Sequence, residues 1–243
     1  MNEVNRMNEI TLGVLGGLGP LATVYFMDMV VKLTDAKRDQ EHISMVVLNH
    51  PSIPDRTDYI LDNSMPDPLP VMIADAKRLE GAGSDFIVIP CNTAHYFYEQ
   101  IQDNISIPML NIIEETVDYA AESVPGLKKI GVLATEGTLR AGSYQRACEK
   151  YGIEFARPDE QDEKTLMRLI YDGVKAGEKI DLDAFFGVIG NMKNEGCDAV
   201  ILGCTELSVI HWDNKINRAD VIDSMQTLAR ASILRCGRKI KEG

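Results

Sequence analysis

Gly83-Ser-Asp-Phe-Ile-Val-Ile-Pro-Cys91 aligns residue for residue with Gly196-Cys-Asp-Ala-Val-Ile-Leu-Gly-Cys204, with Gly, Asp and Cys identical and three aliphatic positions in register. A repeat constrains the architecture before any single motif does, because each copy must fold as the same supersecondary unit. A helix-like stretch precedes each copy, Ala74 to Glu80 and Val188 to Glu195, and the Gly that follows suits a helix C-terminus. Each aliphatic run then reads as a short strand buried on both faces. Both cysteines fall at the strand's end.

Two further pairs extend the repeat. Ile10-Thr-Leu-Gly-Val-Leu-Gly-Gly17 answers Lys129-Ile-Gly-Val-Leu-Ala-Thr135, and each reads as the first strand of a half. Pro108-Met-Leu-Asn-Ile-Ile-Glu-Glu115 answers Arg218-Ala-Asp-Val-Ile-Asp-Ser-Met225, after each cysteine segment and before a helical stretch. Alternating strand and helix gives an α/β fold of two similar parallel-sheet domains related by pseudo-two-fold symmetry, with right-handed crossovers and helices on both faces. The expected division is residues 1–113 plus 224–243 for the N-terminal domain and 114–223 for the second. Ligands of open parallel sheets bind beyond the carboxyl ends of the strands, so the site is expected in the cleft between the halves, with one thiol from each.

Bulk properties narrow the function. The 243 residues suffice for a core without disulfides, and 45% apolar content is ordinary for a globular protein. No apolar run approaches a membrane span, and the polar start is unlike a secretion signal, so a cytoplasmic location is the expectation. Five cysteines, an odd number with no CxxC pair, predict free thiols. A formal charge of −12 argues against nucleic acid or an anionic membrane as partner. An anionic small substrate would need local cations.

Two opposed thiols suit inversion of a carbon acid. Inverting an α-carbon without a cofactor requires removing a proton from one face and returning one to the other, hence two acid/base groups on opposite sides. Cys91 and Cys204 are the candidates, one thiolate and one thiol at any moment. Asn92-Thr93-Ala94-His95 and Thr205-Glu206-Leu207 could open helices whose N-terminal donors favour the thiolate. Asn92, Thr93 and Thr205, with the backbone amides of those helix starts, form the natural clamp for an α-carboxylate that gains charge in the transition state.

Six motifs, Gly13-Val-Leu-Gly-Gly-Leu-Gly-Pro20, Pro54-Asp-Arg-Thr57, Pro90-Cys-Asn-Thr-Ala-His95, Ala134-Thr-Glu-Gly-Thr138, Gly173-Val-Lys-Ala-Gly177 and Gly203-Cys-Thr-Glu206, cover nearly the whole chain. In this order they resemble the aspartate/glutamate racemase family, and within it the aspartate racemase branch. The resemblance implies a racemase independent of pyridoxal phosphate, with no cofactor or metal, working as a homodimer on a small acidic amino acid. It implies Cys91 and Cys204 as the proton-transfer pair, and Arg56 and Lys175 as cations for the side-chain carboxylate. Leu18 and His50 stand where the family suggests Met and Asn. Glu206 occupies the position at which glutamate racemases carry His, which favours aspartate or a broader acidic specificity.

Competing readings are weaker. Gly17-Leu-Gly-Pro-Leu-Ala22 fits the dinucleotide pattern GxGxxA, yet the strand from Ser44 to Leu48 ends in Asn49-His50-Pro51 without an acid for a ribose. His42, His50, His95 and His211 lack the spacing of a metal site. Cys148, Cys197 and Cys236 read as core residues. His95, four residues past Cys91, could tune that thiolate or be structural. Two alternatives share the scaffold: a decarboxylase or isomerase of the same superfamily, and a non-catalytic amino-acid sensor.

Overall fold

A computed structural model describes residues 9–241. The first half runs β1 (Thr11–Gly16), α1 (Pro20–Leu33), β2 (Ser44–Asn49), α2 (Arg56–Leu61), α3 (Leu69–Gly81), β3 (Phe86–Val88) and α4 (Tyr98–Gln102), after which α5 (Ile112–Ser123) crosses to the second. The second runs β4 (Lys129–Leu133), α6 (Glu136–Ala141), α7 (Ser143–Lys150), β5 (Glu154–Ala156), α8 (Glu160–Arg168), α9 (Leu182–Asn194), β6 (Ala199–Leu202), α10 (Thr205–Asp213) and β7 (Val221–Asp223). α5 packs on α7 and β7, and α11 (Ser224–Arg235) then packs on both α1 and α5.

Both sheets are parallel. One has the order β2-β1-β3, extended by a parallel bridge from Ile87 to Met109, and the other has the order β5-β4-β6-β7. Counting Met109 as a fourth strand position, the orders are the same; the first two sequence pairs occupy matching places, whereas the third matches two residues out of the quoted register, Met109 answering Val221 and Asn111 answering Asp223. Leu12, Val14, Ile87 and Val88 in one sheet, and Ile130, Val132, Ile201 and Leu202 in the other, are fully buried. Helices cover both faces, so the strands carry near-continuous aliphatic runs.

Each invariant residue of the repeat has a job. Gly83 and Gly196 take left-handed φ values of +88° and +86° just past α3 and α9. Ser84 N–H bonds to the Leu79 carbonyl and Cys197 N–H to that of Met192, the reach across the helix end of a Schellman turn. Asp85 and Asp198 tie the third strand of each half to the first. Asp85 Oδ2 accepts from Thr11 N–H at 2.7 Å and Asp198 Oδ2 accepts from Lys129 N–H at 2.9 Å.

The helices differ from expectation at their starts. α3 begins at Leu69, five residues before Ala74, with a proline in the first turn where its missing N–H costs nothing. α9 begins at Leu182, where the Asp181 side chain accepts from Ala184 N–H. After Cys91 the chain forms a 3-10 turn, Thr93–Phe97, whereas after Cys204 it enters α10 directly.

Candidate active site

Cys91 and Cys204 line one small cleft beyond the carboxyl ends of β3 and β6, at 6% and 5% exposure. Every residue singled out for the site borders that cleft: Arg56, Asn92, Thr93, Lys175 and Thr205 beside the two thiols. A volume of about 10 Å³ is left for water inside, room for about one molecule. A larger groove of about 1110 Å³ opens between α1, α10 and α11, but it contains neither thiol, so size alone does not locate the chemistry.

Arg56 opens α2, whose N-cap Asp55 accepts from Thr57 N–H at 2.7 Å and Asp58 N–H at 3.2 Å. Its Nη1 donates to the Pro54 carbonyl at 3.0 Å. Its Nε is buried without a hydrogen-bond partner. A guanidinium N–H left unpaired in a dry site is costly, and a ligand carboxylate is the group that would satisfy it.

Lys175 ends a π-helical turn, Leu169–Lys175, a geometry that recurs at functional sites. Its Nζ stands 3.9 Å from Asp55 Oδ2 and 3.9 Å from the Tyr171 ring centre. Burial alone would lower its pKa, but the charges of Glu206 and Asp55 and the Tyr171 and Cys204 groups outweigh it and hold the ammonium above its ordinary value.

The hydroxyls form a cluster across the two halves. Thr93 Oγ1 is 3.1 Å from Thr135 Oγ1 and 2.8 Å from Thr138 Oγ1, and Thr57 Oγ1 donates to Thr135 at 3.5 Å. Asn92 is already held at both ends. Its Nδ2 donates to Ser224 Oγ at 3.0 Å and its Oδ1 accepts from Tyr144 OH at 2.7 Å, which leaves one N–H for a ligand. Burial pushes the Tyr144 phenol up, so it stays a donor.

The thiols depart from expectation. The backbone amides of Ala94 and Glu206 do face Cys91 and Cys204, as the helix-start reading required. Burial nevertheless dominates and raises both thiols. For Cys91, Arg56 opposes the rise. For Cys204 the Glu206 carboxylate adds to it, accepting from Sγ at 3.0 Å, and the thiol lies well above its ordinary value. A sulfur of this kind is a stronger base once ionised.

His95 is structural in this geometry. Its Nε2 accepts from Ile112 N–H at 3.2 Å, which leaves Nδ1 to donate to the Cys91 carbonyl at 2.9 Å. Burial pushes its pKa down to about 4, so the ring is neutral and anchors the Cys91 backbone to α5. Sequence reasoning missed Tyr171, a lone aromatic with no motif around it. It also passed over Thr57 and Thr135, which stood inside quoted motifs. All three border the cleft. The cysteines away from the site, Cys148, Cys197 and Cys236, are free, the first two buried.

The Asp/Glu/hydantoin racemase family pattern matches residues 15–232, and the chain belongs to that family and is an amino-acid racemase. Among its relatives is the broad specificity amino-acid racemase RacX of Bacillus subtilis, 32% identical over 227 residues that cover 91% of this chain and 96% of RacX. The Picrophilus torridus aspartate racemase structure superposes with a TM-score of 0.81 at 33% identity, covering 96% of each chain. Glutamate racemase from Aquifex pyrophilus is 32% identical over 158 residues, which cover 63% of this chain and 59% of that one. No helix among the described residues is long and apolar enough to cross a membrane.

Proposed function

We propose that the enzyme interconverts L- and D-aspartate, without a cofactor, by two-base proton transfer between Cys91 and Cys204. The observation that carries this reading is that both thiols, each just beyond the end of a strand of its own sheet, line the same cleft as the cations Arg56 and Lys175. One sulfur, as thiolate, takes the α-proton from one face. The other, as thiol, gives its proton to the opposite face and is left as the thiolate. No atom is gained or lost overall, and the next turnover runs with the roles exchanged.

The remaining groups sort by charge. Arg56, with its unpaired Nε, and Lys175 hold the side-chain carboxylate. The threonine hydroxyls, the free N–H of Asn92 and the amides opening α10 receive the α-carboxylate as it gains negative charge. Similarity to the Picrophilus aspartate racemase across 96% of the chain supports aspartate. Similarity to RacX over nearly its full length favours, as a second reading, a wider range of amino acids. The homodimer, and the division into residues 1–113 with 224–243 and 114–223, belong to the same proposal.

The test is incubation with L-aspartate in deuterated water, following α-deuterium and D-aspartate together. Wild-type enzyme should yield both, and Cys91→Ala or Cys204→Ala should abolish net inversion. Full racemase activity in either variant would reassign the mechanism to a single base. Turnover of glutamate or neutral amino acids at comparable rates would establish the broader specificity.

A further inference from the structure

The repeat makes the two sides of the site comparable position by position, and one pair breaks the match. Cys91-Asn92-Thr93 corresponds to Cys204-Thr205-Glu206, so where one thiol has a neutral hydroxyl two residues on, the other has a carboxyl group. Glu206 is 5% exposed. Its Oε2 accepts from Cys204 Sγ at 3.0 Å and from Thr205 Oγ1 at 3.5 Å. Its Oε1 lies against the glycine loop, 3.4 Å from where a side chain at Gly19 would begin. Among the described residues it has no salt-bridge partner within 4.0 Å.

Among the described residues Cys91 Sγ has no comparable acceptor. The charged and titratable groups around the pair are Arg56 from α2, Lys175 and Tyr171 from the π-helical turn, Tyr144 from α7, Asp55 before α2, and Glu206 itself. Removing the Cys204 proton would leave a thiolate and a carboxylate face to face without the hydrogen bond between them, a like-charge contact in a dry site that Lys175 offsets only in part. Removing the Cys91 proton leaves a thiolate that Arg56 opposes with positive charge. The two sulfurs are alike in burial, and Glu206 bears on both, but only Cys204 is in hydrogen-bond contact with it among the described residues.

We infer that Glu206 is a positioning residue that keeps the resting proton of the sulfur pair on Cys204, so that Cys91 ionises first and begins the cycle as the base. The inference rests on the two-thiol reading of this site. It has a kinetic signature. Free L and D enantiomers have equal energy, so kcat/KM must be the same in both directions. The bias therefore appears as matched differences in kcat and KM, the enantiomer that presents its α-hydrogen to Cys91 having the lower of each. The apparent ionisations belong to the pair, so they are best separated with one sulfur removed.

The experiment follows thiolate absorbance in the ultraviolet against pH in Cys91→Ala protein, with and without Glu206→Gln, subtracting Cys91→Ala/Cys204→Ala protein to remove the other cysteines. Glu206→Gln should lower the Cys204 midpoint by about one unit or more, a tenfold or larger gain in thiolate. In Cys204→Ala protein the same substitution should move Cys91 much less. In otherwise wild-type enzyme, Glu206→Gln should bring kcat for L and D together, and Glu206→Asp, which retains the charge, should restore the difference. A Cys204 midpoint unmoved by Glu206→Gln in folded protein would overturn the inference, as would a Cys204 midpoint below that of Cys91 with Glu206 in place. If wild-type enzyme fails to exchange the α-hydrogen of any amino acid while the midpoint still moves, the two-thiol reading fails and the hold of Glu206 on Cys204 stands.

Discussion

At the scale of single residues the site is a set of side chains whose ordinary chemistry has been altered by their neighbours. His95 illustrates this away from the two thiols. It is buried, its two ring nitrogens are committed to Ile112 N–H and the Cys91 carbonyl, and its pKa is pushed down to about 4 by burial. The unfolded chain binds a proton at His95 near pH 6.5, and the folded chain resists it. Between about pH 6.5 and 4 the unfolded state therefore holds more protons, so stability is full above that window and falls as the pH is lowered through it. The loss from this residue amounts to about 3 kcal/mol. Urea unfolding across that range should show the slope, and His95→Gln should flatten it. An unchanged slope in the variant would mean that other groups carry the acid sensitivity.

At the scale of elements, helix caps connect sequence to stability in the same way in both halves. Asn111 caps α5, accepting from Ile113 N–H at 3.0 Å, and Asp223 at the equivalent place caps α11, accepting from Met225 N–H at 2.9 Å. Asp223 also meets buried His211 Nδ1 at 3.1 Å. Asn111→Ala should cost about 1 kcal/mol, and Asp223→Ala about 2 to 3 kcal/mol because it leaves the buried His211 nitrogen unpaired as well. Chemical denaturation of the two variants tests the ranking, and equal losses would count against the His211 contribution. The strands and helices around these caps were legible because aliphatic runs, glycine stops and their repetition are local signals. β5 was not. Its three residues, Glu154–Ala156, lie at a sheet edge and lack an aliphatic run, so only pairing with β4 makes them a strand. The π-helical turn was equally silent: Lys175 was found through a motif, while Tyr171, one turn earlier and stacked against its ammonium, belongs to no pattern that sequence alone displays. Thr135 and Thr138 were visible as motif letters. Their hydrogen bonding to Thr93 was not, because it exists only once the two halves meet.

At the scale of the whole molecule the decisive contact is the approach of α6 to α2. A Cβ placed on Gly137 would stand 2.9 Å from Thr57 Cα, so the absence of a side chain there sets how closely the two halves meet beside Arg56 and the threonine cluster. Gly137→Val should wedge them apart. The expected result is a fall in kcat/KM of about tenfold or more through lost alignment, with a loss of stability of about 1 to 3 kcal/mol. Steady-state kinetics beside thermal unfolding would separate the two, and unchanged kinetics would show that this seam does not set the spacing. The tightness of the cleft also bears on isotope bookkeeping. Under the proposed two-thiol mechanism, a cleft this narrow before substrate enters would, once closed around it, shelter the carbanion from bulk solvent and the hydrogen captured by sulfur with it. On that proposal, hydrogen taken from one enantiomer would stay within the protein until the halves part, so tracer carried in by substrate should sometimes leave in the same molecule before the medium can dilute it.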